Sequence, residues 1–354
     1  MSTVSPYVAA IGTALPANYV AQERLTAALR EVWAQKHSST ERFDRIQSAL
    51  GVAGRYLALS FEEYPLPSFA AANDAWLRVA PELAEAAARD ALAAAELQPA
   101  DVDHVFFVTV TGIGTPTADV GLATRLGMRR DVKRTPIFGL GCVAGASGIA
   151  RAVDYVRAYE REVAMVVSVE LCSLTLQLDD LSAANIIASG LFGDGAAVAL
   201  VAGGARGPIQ SPRIVATRSI LYPDTERIMG WDLVAGGFKI VLSARLPELI
   251  CANLGADVDS FLAAHNLTRG DIAHWVAHPG GPKILRAVED SLELPPESLA
   301  RSWRFLESTG NLSSASILFI MRDFLREHRA QAGDWGLMLA MGPGFCVELV
   351  LLQW

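Results

Sequence analysis

The sequence predicts an α/β protein in which two similar halves share one site. Three observations carry this reading. Short β-rich runs alternate with amphipathic stretches along the chain, and its 354 residues exceed one ordinary domain. Each half also holds a strand, a glycine-rich turn and a helix, one turn carrying a cysteine and the other a histidine. With 51% hydrophobic and 19% charged residues, the composition excludes a disordered chain, a collagen-like repeat and a disulfide scaffold.

In the first half, 22–34 and 40–50 read as helices, and 81–97 as an alanine-rich helix that starts with Pro81 in its first turn. Residues 104–111 form a strand and 118–126 a helix. The strand 135–139 then turns through Gly139-Leu140-Gly141-Cys142 into a helix over 143–159, and the strands 163–170 and 196–201 follow. Gly203-Gly204-Ala205-Arg206-Gly207-Pro208 marks the boundary, dividing the chain into 1–206 and 207–354. The second half reads as a strand over 213–220, a helix over 243–265 and a strand over 272–277. It continues through His278-Pro279-Gly280-Gly281-Pro282 into a helix over 282–292, a helix over 313–328, and strands over 336–340 and 346–351.

A net charge of −8 argues against non-specific nucleic-acid binding, so an anionic ligand needs a local basic patch. Cys142, Cys172, Cys251 and Cys346 are scattered without a C-x-x-C pair, the pattern of free thiols in a reducing compartment. Met1–Tyr7 lacks the basic start and apolar run of a signal peptide, and no apolar stretch approaches the ~20 residues of a membrane span. The expectation is a soluble, cytoplasmic protein with no membrane partner.

Cys142 lies where a strand meets a helix that begins with small residues. Unpaired N–H groups and the helix dipole favour thiolate there, and a nearby histidine lowers the thiol pKa to roughly 3.5–7.5. The bland reading is a buried structural cysteine. A rival uses the same segment: Gly139-x-Gly141-x-x-Ala144 matches a loose dinucleotide fingerprint, with Glu170 as the ribose-binding acid of a nicotinamide-dependent oxidoreductase. That acid, however, lies nearer 30 than ~20 residues on. His278 ends its strand at a corner fixed by two prolines, on the edge where open α/β sheets bind ligands. His274 and His278 do not make a zinc pair, since the segment reads as strand and lacks the glutamate of H-E-x-x-H, so no metal is expected. His37, His104, His265 and His328 read as surface or core residues. Asn311 and Ser313 suit a helix N-cap, or Asn311 an amide donor to an oxyanion. Together Cys142, His278 and Asn311 make nucleophile, base and oxyanion donor, the logic of acyl transfer through a thioester.

Gly141-Cys142-Val143-Ala144-Gly145, His278-Pro279-Gly280-Gly281-Pro282, Gly310-Asn311-Leu312-Ser313-Ser314-Ala315, Gly342-Pro343-Gly344-Phe345 and Leu191-Phe192-Gly193-Asp194-Gly195 resemble, in order and spacing, the type III polyketide synthases. These are the chalcone synthase-like branch of the thiolase superfamily. The resemblance covers nearly the whole chain and implies a thiolase-like α-β-α-β-α core and a homodimer. It implies that Cys142 accepts an acyl group from an acyl-CoA, and that His278 and Asn311 promote decarboxylation of malonyl-CoA. CoA thioesters are then substrates, and no cofactor is implied.

By the same resemblance Phe192 is an aromatic gate, and Gly342, Pro343, Gly344 and Phe345 form a cavity wall. Thr115, Cys172, Thr175 and Ile240 fall on substrate-lining positions, and Thr115 takes the place of a methionine that crosses the dimer interface in plant enzymes. Arg42, Arg45, Arg55 and Lys283, with Gly280, Gly281 and Ser313, are expected to contact CoA. Met229-Gly230-Trp231-Asp232 resembles the bacterial alkylpyrone and alkylresorcinol enzymes, which points to a fatty acyl starter. The nearest enzymatic rival, a single condensation of the ketoacyl-acyl carrier protein synthase III kind, lacks the His-Pro-Gly-Gly-Pro turn and the Gly-Pro-Gly-Phe loop. An inactive scaffold is the third class, and the presence of all three catalytic residue types speaks against it.

Overall fold

The structure, a computed structural model, describes residues 5–35, 40–206, 211–327 and 330–354. His37, His328 and the Gly207-Pro208 end of the expected boundary lie outside them. In chain order the strands are β1 (Tyr7–Ala14), β2 (Asn18–Ala21), β3 (Gly54–Leu57), β4 (His104–Thr109), β5 (Lys133–Phe138), β6 (Val163–Leu171), β7 (Asp194–Ala202), β8 (Arg213–Leu221), β9 (Met229–Val234), β10 (Gly237–Leu242), β11 (Ile272–Ala277), β12 (Trp335–Gly342) and β13 (Cys346–Gln353). The helices are α1 (Gln22–Ala34), α2 (Glu41–Ser48), α3 (Phe69–Ala94), α4 (Asp119–Leu126), α5 (Ala144–Ala158), α6 (Ala183–Leu191), α7 (Leu246–Ala263), α8 (Pro282–Leu292), α9 (Ala300–Thr309) and α10 (Ser316–Glu327).

Nine strands form one mixed sheet in the order β11-β12-β13-β8-β1-β7-β6-β4-β5. The halves meet at β1 and β8 through a single register pair, Tyr7 opposite Arg213. Two backbone bonds flank it, Val8 N–H to Pro212 O (3.1 Å) and Ile214 N–H to Pro6 O (2.7 Å).

Strand alternation sorts side chains between layers. On the inner faces Val108, Val166 and Ala199 from the first half, and Val276, Met338 and Val350 from the second, close on Ile149 and Val153 of α5 and Ile317 and Met321 of α10. The opposite face of the first half packs Phe107, Val167 and Leu200 on the alanine face of α3. That of the second half packs Trp275, Leu339 and Leu351 on α7 and α8. The result is the α-β-α-β-α layering of a thiolase-like fold. Burial on both faces explains why β6 reads as a nearly unbroken apolar run.

Local readings differ from the structure in identifiable places. The third helix begins at Phe69, with Ser68 Oγ accepting the Ala71 N–H at 3.1 Å, and runs on through Pro81. Its buried face of Ala72, Ala75, Trp76, Val79 and Ala80 continues across the proline, and that packing outweighs the proline's local cost. The strand β1 escaped notice because it is built largely of small residues. At Gly12 an added Cβ would lie 2.2 Å from Ala87 O, so β1 and α3 approach too closely for side chains. The helices α6 and α9 and the hairpin β9–β10 were also unread, the hairpin lying partly inside the Met229-Gly230-Trp231-Asp232 motif. No helix among the described residues is long and apolar enough to cross a membrane.

Candidate active site

Cys142 occupies a 3-10 turn, Gly141–Val143, between β5 and α5. Gly141 takes φ +54°, and a Cβ there would come within 2.7 Å of Pro343 Cδ. Gly342 is equally confined, with Leu140 O and Val143 N at 2.6 and 2.7 Å from its would-be Cβ. The 342–345 loop therefore clamps the cysteine turn from behind.

A second turn follows α9. Gly310, at φ +76°, releases Asn311 into a bridge with Phe192, in which Asn311 N–H donates to Leu191 O (2.9 Å) and Gly193 N–H to Asn311 O (3.0 Å). The Asn311 side chain accepts the Ser313 N–H on Oδ1 at 2.7 Å, as a cap would, which leaves its amide donor to hydrogen-bond Cys142. Ser313 is held at φ +48°, and its Oγ lies 3.6 Å from Cys142 Sγ. The cap-type bond expected of Asn311 is thus present.

His278 follows β11, its N–H bonded to Leu339 O at 3.0 Å on the neighbouring strand β12. Neither ring nitrogen has a hydrogen-bond partner among the described residues. Cys142, His278 and Asn311 are 6%, 2% and 1% exposed, so any charge formed here meets little water.

That enclosure corrects the expected low thiol pKa. Burial pushes Cys142 up to about 12, assisted by the charge of Glu170 and opposed by hydrogen bonds to Ser313 and Asn311. Burial likewise pushes His278 down to about 3. The helix proper begins only at Ala144. Burial thus disfavours the charged form of both thiol and imidazole.

Glu170 has no free oxygen for a ribose. It is fully buried, accepting from Thr109 Oγ1, Val110 N–H, Thr111 Oγ1 and Ser314 Oγ. Burial raises it to about 7. This removes the dinucleotide reading. His274 is bonded to Asp334 at 3.0 Å, and no metal-binding cluster occurs among the described residues.

A largely apolar chamber of about 200 Å³ lies against Phe192, the residue bridged to Asn311, and its lining includes none of Cys142, His278 and Asn311. Phe192, Cys172, Thr175 and Ile240 line it, together with Leu25 and Leu29 of α1, Tyr64 and Trp231. Thr115 and the 342–345 loop lie outside that lining. Thr115 is exposed and lines no described cavity. Gly342 and Pro343 support the Cys142 turn, while Phe345 is core, 1% exposed and stacked on Tyr222 at 5.8 Å.

A second cleft, of about 310 Å³, is lined by Arg42 and Arg45 with Trp33, Thr40 and Phe43. Lys283 is exposed, and Gly280 and Gly281 form the turn beside His278. Arg55 lines the apolar chamber, and Ser313 lies at the Cys142 sulfur. Arg55 is 4% exposed and bonded to Phe192 O and Gln22.

Two family models match: "Chalcone and stilbene synthases, N-terminal domain" over residues 2–205, and the corresponding C-terminal domain over residues 213–354. The chain belongs to the chalcone and stilbene synthase family, the type III polyketide synthases. It is 48% identical over 350 residues to a 1,3,6,8-tetrahydroxynaphthalene synthase of Streptomyces peucetius subsp. caesius, covering 98% of this chain and 93% of that one. A putative chalcone synthase of Bacillus subtilis is 37% identical, with 98% of each covered. The crystal structure of 1,3,6,8-tetrahydroxynaphthalene synthase from Streptomyces coelicolor A3(2) superposes with a TM-score of 0.93 at 30% identity, covering 98% of this chain and 99% of that one. Like its family, the protein is an acyl-transferring enzyme of decarboxylative condensation.

Sequence reasoning missed Glu170 as a buried carboxyl tied through Ser314 to the Asn311 turn, and Asp194 as an organiser. Asp194 accepts from Ala58 N–H (2.6 Å), Ser173 N–H (2.8 Å) and Ser173 Oγ, fixing the wall that carries Cys172 and Thr175. Its signal was present: an acid between two glycines inside an otherwise apolar segment.

Proposed function

We propose that the enzyme extends an acyl group held on Cys142 with malonyl units and closes the chain into an aromatic product of the tetrahydroxynaphthalene type. Cys142 attacks the acyl-CoA carbonyl, its proton passes to His278, and CoA leaves as the thiol. Malonyl-CoA then loses CO2, and the electron pair of the broken C–C bond becomes a thioester enolate. Its oxygen is stabilised by the His278 imidazole and the Asn311 amide in a closed pocket. The enolate carbon attacks the Cys142 thioester, forming the new C–C bond and freeing the sulfur for the next round.

What carries the general reading is the enclosed meeting of Cys142, Asn311 and Ser313, with Phe192 joining that turn to the apolar chamber. What supports the product class is the extent of likeness to the Streptomyces peucetius protein: tetrahydroxynaphthalene has ten ring carbons, five two-carbon units, so malonyl-CoA alone suffices to make it. The apolar lining of the chamber by Leu25, Leu29, Leu57 and Trp231 favours a second reading, a fatty acyl starter and an alkylpyrone or alkylresorcinol product. A homodimer is supported by the free edge of β5, where Phe138 is 56% exposed.

Incubation with malonyl-CoA alone, followed by mass spectrometry, is expected to give the five-unit aromatic product. Products appearing only when a fatty acyl-CoA is added, with its chain retained, would replace the first reading by the second. A single added acetate unit without a ring would defeat both.

A further inference from the structure

Behind the gate, three buried polar side chains form one run of hydrogen bonds. Gln47 Nε2 donates to Ile186 O at 2.8 Å, and Gln22 Nε2 donates to Gly190 O at 2.9 Å and to Gln47 Oε1 at 3.3 Å. Arg55 Nε donates to Gln22 Oε1 at 3.2 Å, and its Nη1 to Phe192 O at 2.7 Å. The three come from separate elements, α2, the start of α1 and β3, and are 5%, 9% and 4% exposed. Their backbone acceptors lie along α6 and its C-terminal cap, and Gly190 O belongs to the last turn, where carbonyls lose intrahelical partners.

Two glycines make room for this rail. A Cβ at Gly190 would sit 2.1 Å from Gln47 Oε1, and one at Gly310 would sit 3.1 Å from Arg55 Cδ and 2.5 Å from Leu191 O. Each end touches something functional. The outer end is α2, whose Arg42 and Arg45 line the second cleft. The inner end is the carbonyl of Phe192, whose neighbours Leu191 and Gly193 hold both backbone groups of Asn311.

A purely structural plug would be apolar here. Burying a guanidinium is costly, and this one is lowered to about 10 by burial despite the nearby charge of Asp194. Directional bonds are what the arginine adds over an apolar residue.

We propose that Gln47, Gln22 and Arg55 are positioning residues, a buried rail that fixes the backbone of Phe192 and, through its pairing with Asn311, the amide that faces Cys142. This rests on the condensation reading and deepens it. The rail sets where the enolate is held and how wide the gate stands.

The test is Gln22→Met, which keeps volume and cuts the rail at its centre, assayed with malonyl-CoA beside the wild type. The expected result is a fall in kcat of roughly tenfold or more, since small misplacements of reacting groups cost that much. KM for malonyl-CoA should stay within about twofold, and products should shift to fewer units. Gln22→Met with wild-type kcat and product lengths would overturn the rail. Should that variant not fold, Gln47→Met removes only the outer link: a smaller kcat loss with KM held supports the rail, and no loss overturns it. Absence of product from the wild type would instead count against the function reading, so the two failures are distinguishable.

Discussion

Cys142 and His278 illustrate how burial sets chemistry at single residues. Burial disfavours the charged form of each, so a thiolate at Cys142 needs a compensating cation, the role proposed for His278. His278→Ala should slow iodoacetamide alkylation of Cys142 at pH 7 by about 10²-fold and move its pH midpoint upward. An unchanged midpoint would show that the imidazole does not support the thiolate. Cys142→Ala should abolish condensation, measured as loss of all extended products from malonyl-CoA. Glu170 gives a pH signature of the opposite kind. Its folded-state pKa, about 7, lies above the ordinary 4.5, so the folded state prefers the protonated form. The stabilisation is full below pH 4.5 and is lost as pH rises through 7, an effect of about a few kcal/mol at 1.36 kcal/mol per unit. Glu170→Gln keeps an acceptor for Val110 N–H while Ser314 Oγ rotates to accept. Its melting temperature should therefore fall less than that of the wild type between pH 5 and pH 8, and parallel curves would refute the assignment.

Elements show where the sequence was readable. Cys142, His278 and Asn311 each sit at a strand end or helix start punctuated by glycine or proline, and such punctuation has a local cause. Pro81 is a strong local stop signal in α3, whereas the alanine face that overrides it acts only once distant strands such as β4, β6 and β7 pack against it. Arg55 was assigned to a surface mouth because nothing adjacent in sequence announces that Gln22 and Phe192 will enclose it. The same logic of close approach predicts the effect of Gly145→Ala. A Cβ there would meet Ser314 O at 2.2 Å, forcing α5 away from the turn that carries Asn311 and Ser313. A loss of about 2–4 kcal/mol in stability, read by urea denaturation, is expected from such overpacking. A variant as stable as the wild type would mean the two turns can separate freely.

The whole molecule is held together by its middle layer. One register pair joins the two parts of the sheet, yet α5 from the first half and α10 from the second lie between both parts and bury against each. Heating should therefore give a single calorimetric transition with matching van't Hoff and calorimetric enthalpies, and two resolved transitions would contradict the shared core. The same arrangement makes covalent continuity between the halves dispensable. Residues 1–206 and 211–354, produced as two chains, should each aggregate alone, because each exposes an inner face that the other was meant to cover. Made together in one cell, they should recognise one another and assemble as partners do, recovering activity from fragments that have none.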